Sequence, residues 1–105
     1  MAAADPFEAL GDPSRREILT LLARSELPVA AIADQLPISR PAVSRHLRVL
    51  KDAGLVTEAA AGTRRIYRLD GQGVLAVQRY LEQVWGESAK RFRLYAENTT
   101  PEPDQ

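Results

Sequence analysis

The spacing of apolar residues predicts three short helices in the first third of the chain. Residues 7–10 allow one or two helical turns, and Asp12 with Pro13 is a helix start in which an N-cap precedes a first-turn proline. Residues 29–36 then place apolar side chains at positions i, i+3, i+4 and i+7, the period of a helix with one buried face. We expect the helix that begins at Pro13 to act mainly as scaffold.

A fourth helix, predicted over residues 40–53, is the most clearly two-sided. At about 100° per residue, its apolar side chains fall on one stripe and its arginines point the other way. Ser39 is the expected N-cap, and Gly54 is the residue that should end the helix. Because only the turn 36–39 separates this helix from the preceding one, the two form a helix-turn-helix. The apolar stripe consists of Val43, Leu47 and Leu50.

After Gly54 the pattern becomes that of β-strands. Residues 55–58 and 65–69 are β-rich runs around residues 59–63, which predicts a two-stranded hairpin with a flexible tip. A hairpin directly after such a helix is a wing. From residue 73 to residue 96 the chain is helical again. The predicted fold class is therefore mainly α with a small β-hairpin, a winged helix-turn-helix of about five helices and a two-stranded wing.

The last helix carries more apolar surface than a terminal helix can leave in water. It must pack on its own domain or on a second copy, and together with the first helix it predicts a two-fold dimer interface. The candidate interface residues are Phe7, Leu10, Val77, Leu81, Val84, Trp85 and Phe92. The aromatic members of this set could instead line a small-molecule pocket between subunits, although such a stripe is more often interface core.

Positive charge is concentrated on the helix-turn-helix and the hairpin, although the formal net charge is zero. Residues 40–68 contain seven Lys or Arg and two acidic residues, a charge of +5, whereas residues 1–39 sum to −3 and residues 69–105 to −2. This distribution predicts a nucleic-acid partner. The alternatives are a solvated charged face for the helix arginines and a role in solubility for those of the hairpin.

The sequence argues against several other classes of protein. It has no cysteine, which excludes disulfides, thiolate metal sites and cysteine nucleophiles. One histidine, His46, cannot form a metal site without partners, and we expect it to be packed or to contact a phosphate. No glycine-rich phosphate loop and no pairing of nucleophile and base is present, so we predict no enzyme activity, no metal and no cofactor.

Length and hydropathy indicate one cytoplasmic domain with no membrane partner. The single domain is expected to span residues 1–105, with disordered tails at residues 1–5 and 98–105. The N-terminus lacks the basic region and apolar run of a secretory signal, and no stretch approaches the roughly 20 apolar residues of a membrane span.

Three sequence blocks carry a resemblance to a known family. FEALGDPSRREIL, SRPAVSRHLRVLKDAGLV and GTRRIYRL resemble the arsenic-repressor (ArsR) family of winged helix-turn-helix regulators. The resemblance implies a homodimer held by the first and last helices, which binds double-stranded DNA at a near-palindromic operator and represses transcription. It places on the DNA-reading helix the residues Ser39, Arg40, Ala42, Ser44, Arg45 and Arg48, and on the wing Arg64 and Arg65.

The same comparison argues against metal sensing. Metal-sensing members of the family carry a cysteine motif on the helix corresponding to residues 29–36, or His and acidic ligands along the last helix. Here the first segment reads VAAIADQL and the last helix has no histidine, so the sequence resembles the metal-independent branch, in which the inducer is often unknown. The alternative function is a winged helix that makes protein contacts only. It would predict an apolar or acidic face where this chain carries Arg40, Arg45 and Arg48.

Overall fold

Five helices and three strands make up the computed structural model, which describes residues 4–99. In chain order they are α1 (Pro6–Ala9), α2 (Pro13–Leu22), β1 (Leu27–Pro28), α3 (Val29–Asp34), α4 (Arg40–Asp52), β2 (Val56–Ala61), β3 (Arg64–Leu69) and α5 (Gly71–Thr99). The mainly helical class with a wing is confirmed. The chain divides into two units, Met1–Leu75 and Ala76–Gln105, so α5 belongs to both.

Both N-terminal helices begin at an aspartate cap followed by proline. Asp5 accepts a hydrogen bond from the backbone N–H of Phe7 at 2.9 Å, and Asp12 accepts from those of Ser14 and Arg15 at 2.8 and 3.3 Å. A first-turn N–H has no acceptor within its own helix, so a proline there loses no hydrogen bond. The helix start predicted at Asp12 is confirmed.

The predicted helix-turn-helix is formed by α3 and α4. The Ser39 hydroxyl accepts a hydrogen bond from the Ala42 N–H at 3.3 Å, and α4 ends before Gly54, whose φ of 79° favours glycine. The helix α3 is shorter than predicted, because it ends at Asp34 and not at residue 36. The stripe predicted on α4 lies at the centre of the core, where the largest fully buried side chains are Ile18, Ile32, Val43, Leu47, Leu50, Leu55 and Val56.

The tip of the wing is tighter than predicted. Residues 59–61, expected in a flexible loop, are paired with β3, and only Gly62 and Thr63 connect the strands. Gly62 has a φ of 66°, as the first central residue of a type II′ hairpin turn requires. The prediction was wrong here because the low strand propensity of alanine is overridden by pairing with the neighbouring strand.

The sheet also has a third strand. Leu27 lies opposite Tyr67 and Pro28 opposite Ile66, so that β1 pairs antiparallel with β3 and the strand order is β1-β3-β2. The predicted two-stranded wing therefore underestimates the sheet. A strand of two residues is too short to show the alternation by which strands are predicted from sequence.

The start of α5 is fixed against the residues that follow α4. The Asp70 side chain accepts hydrogen bonds from the Gln72 and Gly73 N–H groups at 3.0 and 3.4 Å, and the backbone N–H of Asp70 donates to the Leu55 carbonyl at 2.9 Å. A Cβ atom built on Gly73 would lie 1.8 Å from the carbonyl oxygen of Gly54. Only a residue without a side chain permits this approach.

The second unit contains the remainder of α5. The helix begins at Gly71 and continues to Thr99, whereas the sequence predicted residues 73–96. Residues 98 and 99 of the predicted C-terminal tail therefore belong to the helix. The rest of that tail and residues 1–3 lie outside the described residues. Within the described part of the chain, no helix combines the length and apolar content needed to cross a bilayer.

Candidate nucleic-acid interface

The outward face of α4 carries the cations that the sequence assigned to DNA. Arg40, Ser44, Arg45 and Arg48 are exposed and lie away from the buried stripe, with the half-buried Ala42 beside them. Because the opposite face of the helix is packed into the core, α4 presents this surface in a defined orientation. Small side chains between arginines allow another molecule to approach the backbone of the helix closely.

Within the described part of the chain, the guanidinium groups on α4 make no hydrogen bond or salt bridge. Among residues 4–99, no side-chain hydrogen bond or ion pair involves Arg40, Arg45 or Arg48, and the same holds for Arg64 on the wing. A guanidinium group offers five N–H donors in a planar fork, which suits phosphate oxygens and the acceptor edge of guanine. The positive charge and the unused N–H donors on this surface of α4 therefore favour binding of an anion.

His46 and Arg15 join α4 to the first two helices. The Arg15 Nη1 lies 3.4 Å from the His46 Nδ1, and its Nε donates to the Ala9 carbonyl at the end of α1 at 2.7 Å. A guanidinium group can only donate, so this contact is a hydrogen bond in the tautomer of His46 whose Nδ1 carries no proton. The half-buried His46 is packed in this cluster, in agreement with one of the two roles expected for it.

The cap of α2 belongs to the same cluster. Burial alone would raise the pKa of the Asp12 carboxyl, but the backbone N–H groups of Arg15 and Ser14, with the charges of His46 and Arg15, outweigh it and lower that pKa. Asp12 therefore stays ionised at neutral pH and lies 3.9 Å from the Arg15 guanidinium. The cluster holds α4 against α1 and α2.

The two arginines predicted on the wing have different environments. Arg64 is exposed, whereas the Arg65 Nη1 donates to the Glu58 Oε1 at 2.5 Å. The same carboxylate lies 3.7 Å from the Lys51 Nζ near the end of α4, so Glu58 links the wing to the helix. Sequence analysis did not identify Glu58. A turn at residues 62–63 would have indicated it, because that register places Glu58 opposite Tyr67.

Tyr67 completes this arrangement. Its hydroxyl hydrogen-bonds to Glu58, and this bond, with the charges of Lys51 and Arg65, outweighs burial and lowers the pKa of the Glu58 carboxyl. Burial raises the pKa of Tyr67, and its bond to Glu58 raises it further against smaller opposing effects of Arg65 and Arg48. The result is a polar cleft of about 290 Å³ between α4 and the wing, lined by Ser44, Leu47, Arg48, Lys51, Glu58, Arg65 and Tyr67.

The residues predicted at a dimer interface leave much apolar surface open in each unit. In the first unit Phe7 is exposed and Leu10 is half-buried. In the second unit Trp85 is 54% exposed and Phe92 is 73% exposed, and Leu81 and Val84 are exposed as well, while Val77 is half-buried. Apolar side chains of this size in water favour association.

A metal site in a protein requires several ligand side chains close together. Within residues 4–99, no group of three or more His, Cys, Asp or Glu residues is arranged to hold a metal ion.

Comparisons with known proteins agree with the architecture. Residues 12–58, which contain α2, the helix-turn-helix and the start of the wing, match the family described as bacterial regulatory protein, arsR family. The HTH-type transcriptional regulator Rv2034 of Mycobacterium tuberculosis is 49% identical over 79 residues, which cover 75% of this chain and 74% of that protein. The chain belongs to the arsR family.

Two further relatives extend the similarity to function and to structure. The transcriptional repressor SdpR of Bacillus subtilis is 38% identical over 64 residues, covering 61% of this chain and 71% of that protein. The NMR structure of a homodimeric winged helix-turn-helix DNA-binding domain, Mb0332 of Mycobacterium bovis, superposes with a TM-score of 0.63 at 34% identity, over 81% of this chain and 79% of that one. This arsR-family protein is a DNA-binding transcriptional regulator and not an enzyme.

Proposed function

We propose that this regulator is a homodimeric repressor that binds a near-palindromic operator through α4 and the wing. The observation that carries the proposal is the exposed set of arginines on α4, whose side chains make no hydrogen bond or ion pair among residues 4–99. A helix that is held by its buried face and presents such guanidinium groups is suited to reading a major groove. Repression is supported by the similarity to a repressor of Bacillus subtilis. A regulator of a bacterial family would act in the cytoplasm, where bacterial DNA lies.

Contacts with DNA divide into two kinds. Arg45 and Arg48, near the middle of α4, are proposed to reach base edges, and Ser44 and Ala42 allow the backbone to approach the groove. Ser39 and Arg40, at the N-terminal end of α4, are proposed to contact the phosphate backbone. On the wing, Arg64 and Arg65 are proposed to contact phosphates of the flanking duplex.

Dimerisation would give the operator its symmetry. The open apolar surface of α1 and of the second unit supports an interface between copies, and the related Mycobacterium bovis domain is a homodimer. Two copies of α4 related by a two-fold axis would enter successive major grooves about 34 Å apart. No metal effector is proposed, because no cluster of ligands was found among residues 4–99.

A binding titration tests the proposal. The protein is titrated against a fluorescent duplex of its own upstream region and against a scrambled duplex, each at two salt concentrations. Tight binding that prefers the upstream duplex and weakens steeply with salt is expected, because phosphates contribute much of the affinity. Absence of binding to either duplex at low salt would contradict DNA binding and favour a protein-contact module.

The same titration assigns the roles of the α4 arginines. Replacing Arg45 or Arg48 by alanine should cost about 1–3 kcal/mol of binding free energy on the preferred duplex and less on duplexes altered at the contacted base. Arg24→Ala is the charge-matched control, because Arg24 is exposed in the turn after α2, outside α4 and the wing. An equal loss on every duplex would show that these arginines contact phosphates and not bases.

A further inference from the structure

Glu58 is an unusual residue for a surface that binds DNA. It lies in the cleft between α4 and the wing, where Arg48, Lys51 and Arg65 also contribute to the lining. A carboxylate at this position repels phosphate, yet its side chain is only 16% exposed and is built into the hairpin through its pairing with Tyr67. The position of this carboxylate therefore requires an explanation, because the proposed ligand is a polyanion.

We propose that Glu58 is a specificity-determining residue of the DNA-binding surface, whose carboxylate orients Arg65 and offsets one positive charge beside α4, so that unrelated DNA is bound weakly. The inference rests on the DNA binding proposed above and assigns a further residue to the same surface. Glu58 itself is a positioning residue, since it acts through Arg65 and Lys51.

The orienting effect follows from the geometry of the ion pair. The Glu58 Oε1 receives one N–H from the Arg65 Nη1, while the remaining donors of that guanidinium group have no partner among residues 4–99. The Arg65 side chain is 65% exposed, so these donors face solvent. The guanidinium group of Arg65 is therefore already held by Glu58 before DNA binds. Because of this, Arg65 loses less side-chain entropy when it contacts a phosphate.

The electrostatic effect follows from the charge count in the cleft. Three cations surround one carboxylate, which leaves a charge of +2 beside α4. Removing the carboxylate charge would raise it to +3 and allow one more phosphate to be neutralised on any duplex, whatever its sequence. Glu58 stays ionised at neutral pH because the Tyr67 hydrogen bond and the neighbouring cations lower the pKa of its carboxyl.

The test compares Glu58→Gln with the wild type on the upstream and scrambled duplexes at about 50 and about 200 mM salt. Glutamine has nearly the same shape but no charge. The variant should bind the scrambled duplex more tightly at low salt because of the added positive charge. It should discriminate less between the two duplexes, because on the upstream duplex this gain is offset by the lost orientation of Arg65. Because each added phosphate contact steepens the salt dependence by roughly 0.9, the variant should lose about 3.5-fold more affinity than the wild type over this range.

Glu26→Gln is the matched control. Glu26 also pairs with an arginine of β3, Arg68, at 3.9 Å, but outside the cleft, and it is 59% exposed. This control should retain wild-type discrimination and salt dependence. Arg65→Gln tests the same contact from the cation side and should make the salt dependence shallower by roughly 0.9, with weaker binding.

The outcomes separate this proposal from the proposed function. A wild type that discriminates between the duplexes, with a Glu58→Gln variant of unchanged discrimination and salt dependence, overturns the role of Glu58 alone. Equal weakening of the variant on both duplexes also overturns it, since that is the effect of structural damage to the wing. If the salt dependence of the Arg65→Gln variant is unchanged, Arg65 does not contact a phosphate, and the proposal for Glu58 is overturned. A wild type that binds neither duplex refutes the proposed function itself.

Discussion

Replacing Gly73 by alanine tests the packing that joins the end of α4 to the start of α5. Local propensity and tertiary structure predict opposite signs for this change. Alanine is a better helix former than glycine by roughly 0.8–1.0 kcal/mol, so on propensity alone the variant should be more stable. In the folded protein, however, the added Cβ would lie 1.8 Å from the carbonyl oxygen and 2.8 Å from the carbonyl carbon of Gly54.

The size of the effect follows from these distances. Ordinary van der Waals contact begins at 3.4 Å, so the two backbone segments must separate by about 1.6 Å. Both are backbone, and neither can avoid the clash by changing rotamer. Overpacking of this kind costs about 1–3 kcal/mol, and strain on the 2.9 Å hydrogen bond from Asp70 to Leu55 adds about 1 kcal/mol. After the gain in propensity, Gly73→Ala should lower the free energy of unfolding by about 1–3 kcal/mol.

Urea unfolding monitored by circular dichroism measures this difference, with all variants at one protein concentration because dimerisation contributes to apparent stability. Gly71→Ala is the matched control. It lies in the first turn of the same helix, and a Cβ built there meets no atom within 4 Å. The control should be neutral or more stable than the wild type. If Gly73→Ala is as stable as Gly71→Ala, the close contact with Gly54 is absent in solution and the reasoning is refuted.

Three further predictions concern assembly, effectors and pH. Trp85→Ala should weaken the proposed dimer because it removes the largest exposed apolar side chain of the second unit, and an unchanged dimer in sedimentation would place the interface elsewhere. Zinc, nickel or arsenite at micromolar levels should leave the DNA complex intact in the fluorescence titration, and release by one of them would reveal a ligand set formed elsewhere. Since folding lowers the pKa of Glu58, its contribution to stability should be fully present above the ordinary value of 4.5 and lost as the pH falls through the lowered pKa. In an acid titration by circular dichroism the wild type should therefore lose stability more steeply than Glu58→Gln, and parallel curves would contradict this assignment.

The candidate site could be predicted from the sequence only as far as the residues of α4. Helical spacing alone separates its buried stripe from its arginines, because one face of a single helix is a local property. The wing was predicted less well. Arg64 and Arg65 are adjacent in sequence and were given one role, but the structure leaves the first unpaired among residues 4–99 and pairs the second with Glu58. That pairing depends on the register between two strands, and the register depends on a turn that was placed too broadly.

Features of the fold that depend on short-range physics could be predicted from the amino-acid sequence alone. Helix starts at Asp12 and Ser39 follow from side chains that cap their own backbone, and the charge partition follows from composition along the chain. Long-range contacts, in contrast, make Leu27–Pro28 a strand and pair the alanines of β2. They also require that Gly73 lack a side chain, and they place a carboxylate among the cations beside α4. Each of these depends on a residue distant in the chain, and such contacts leave no periodic pattern in the sequence.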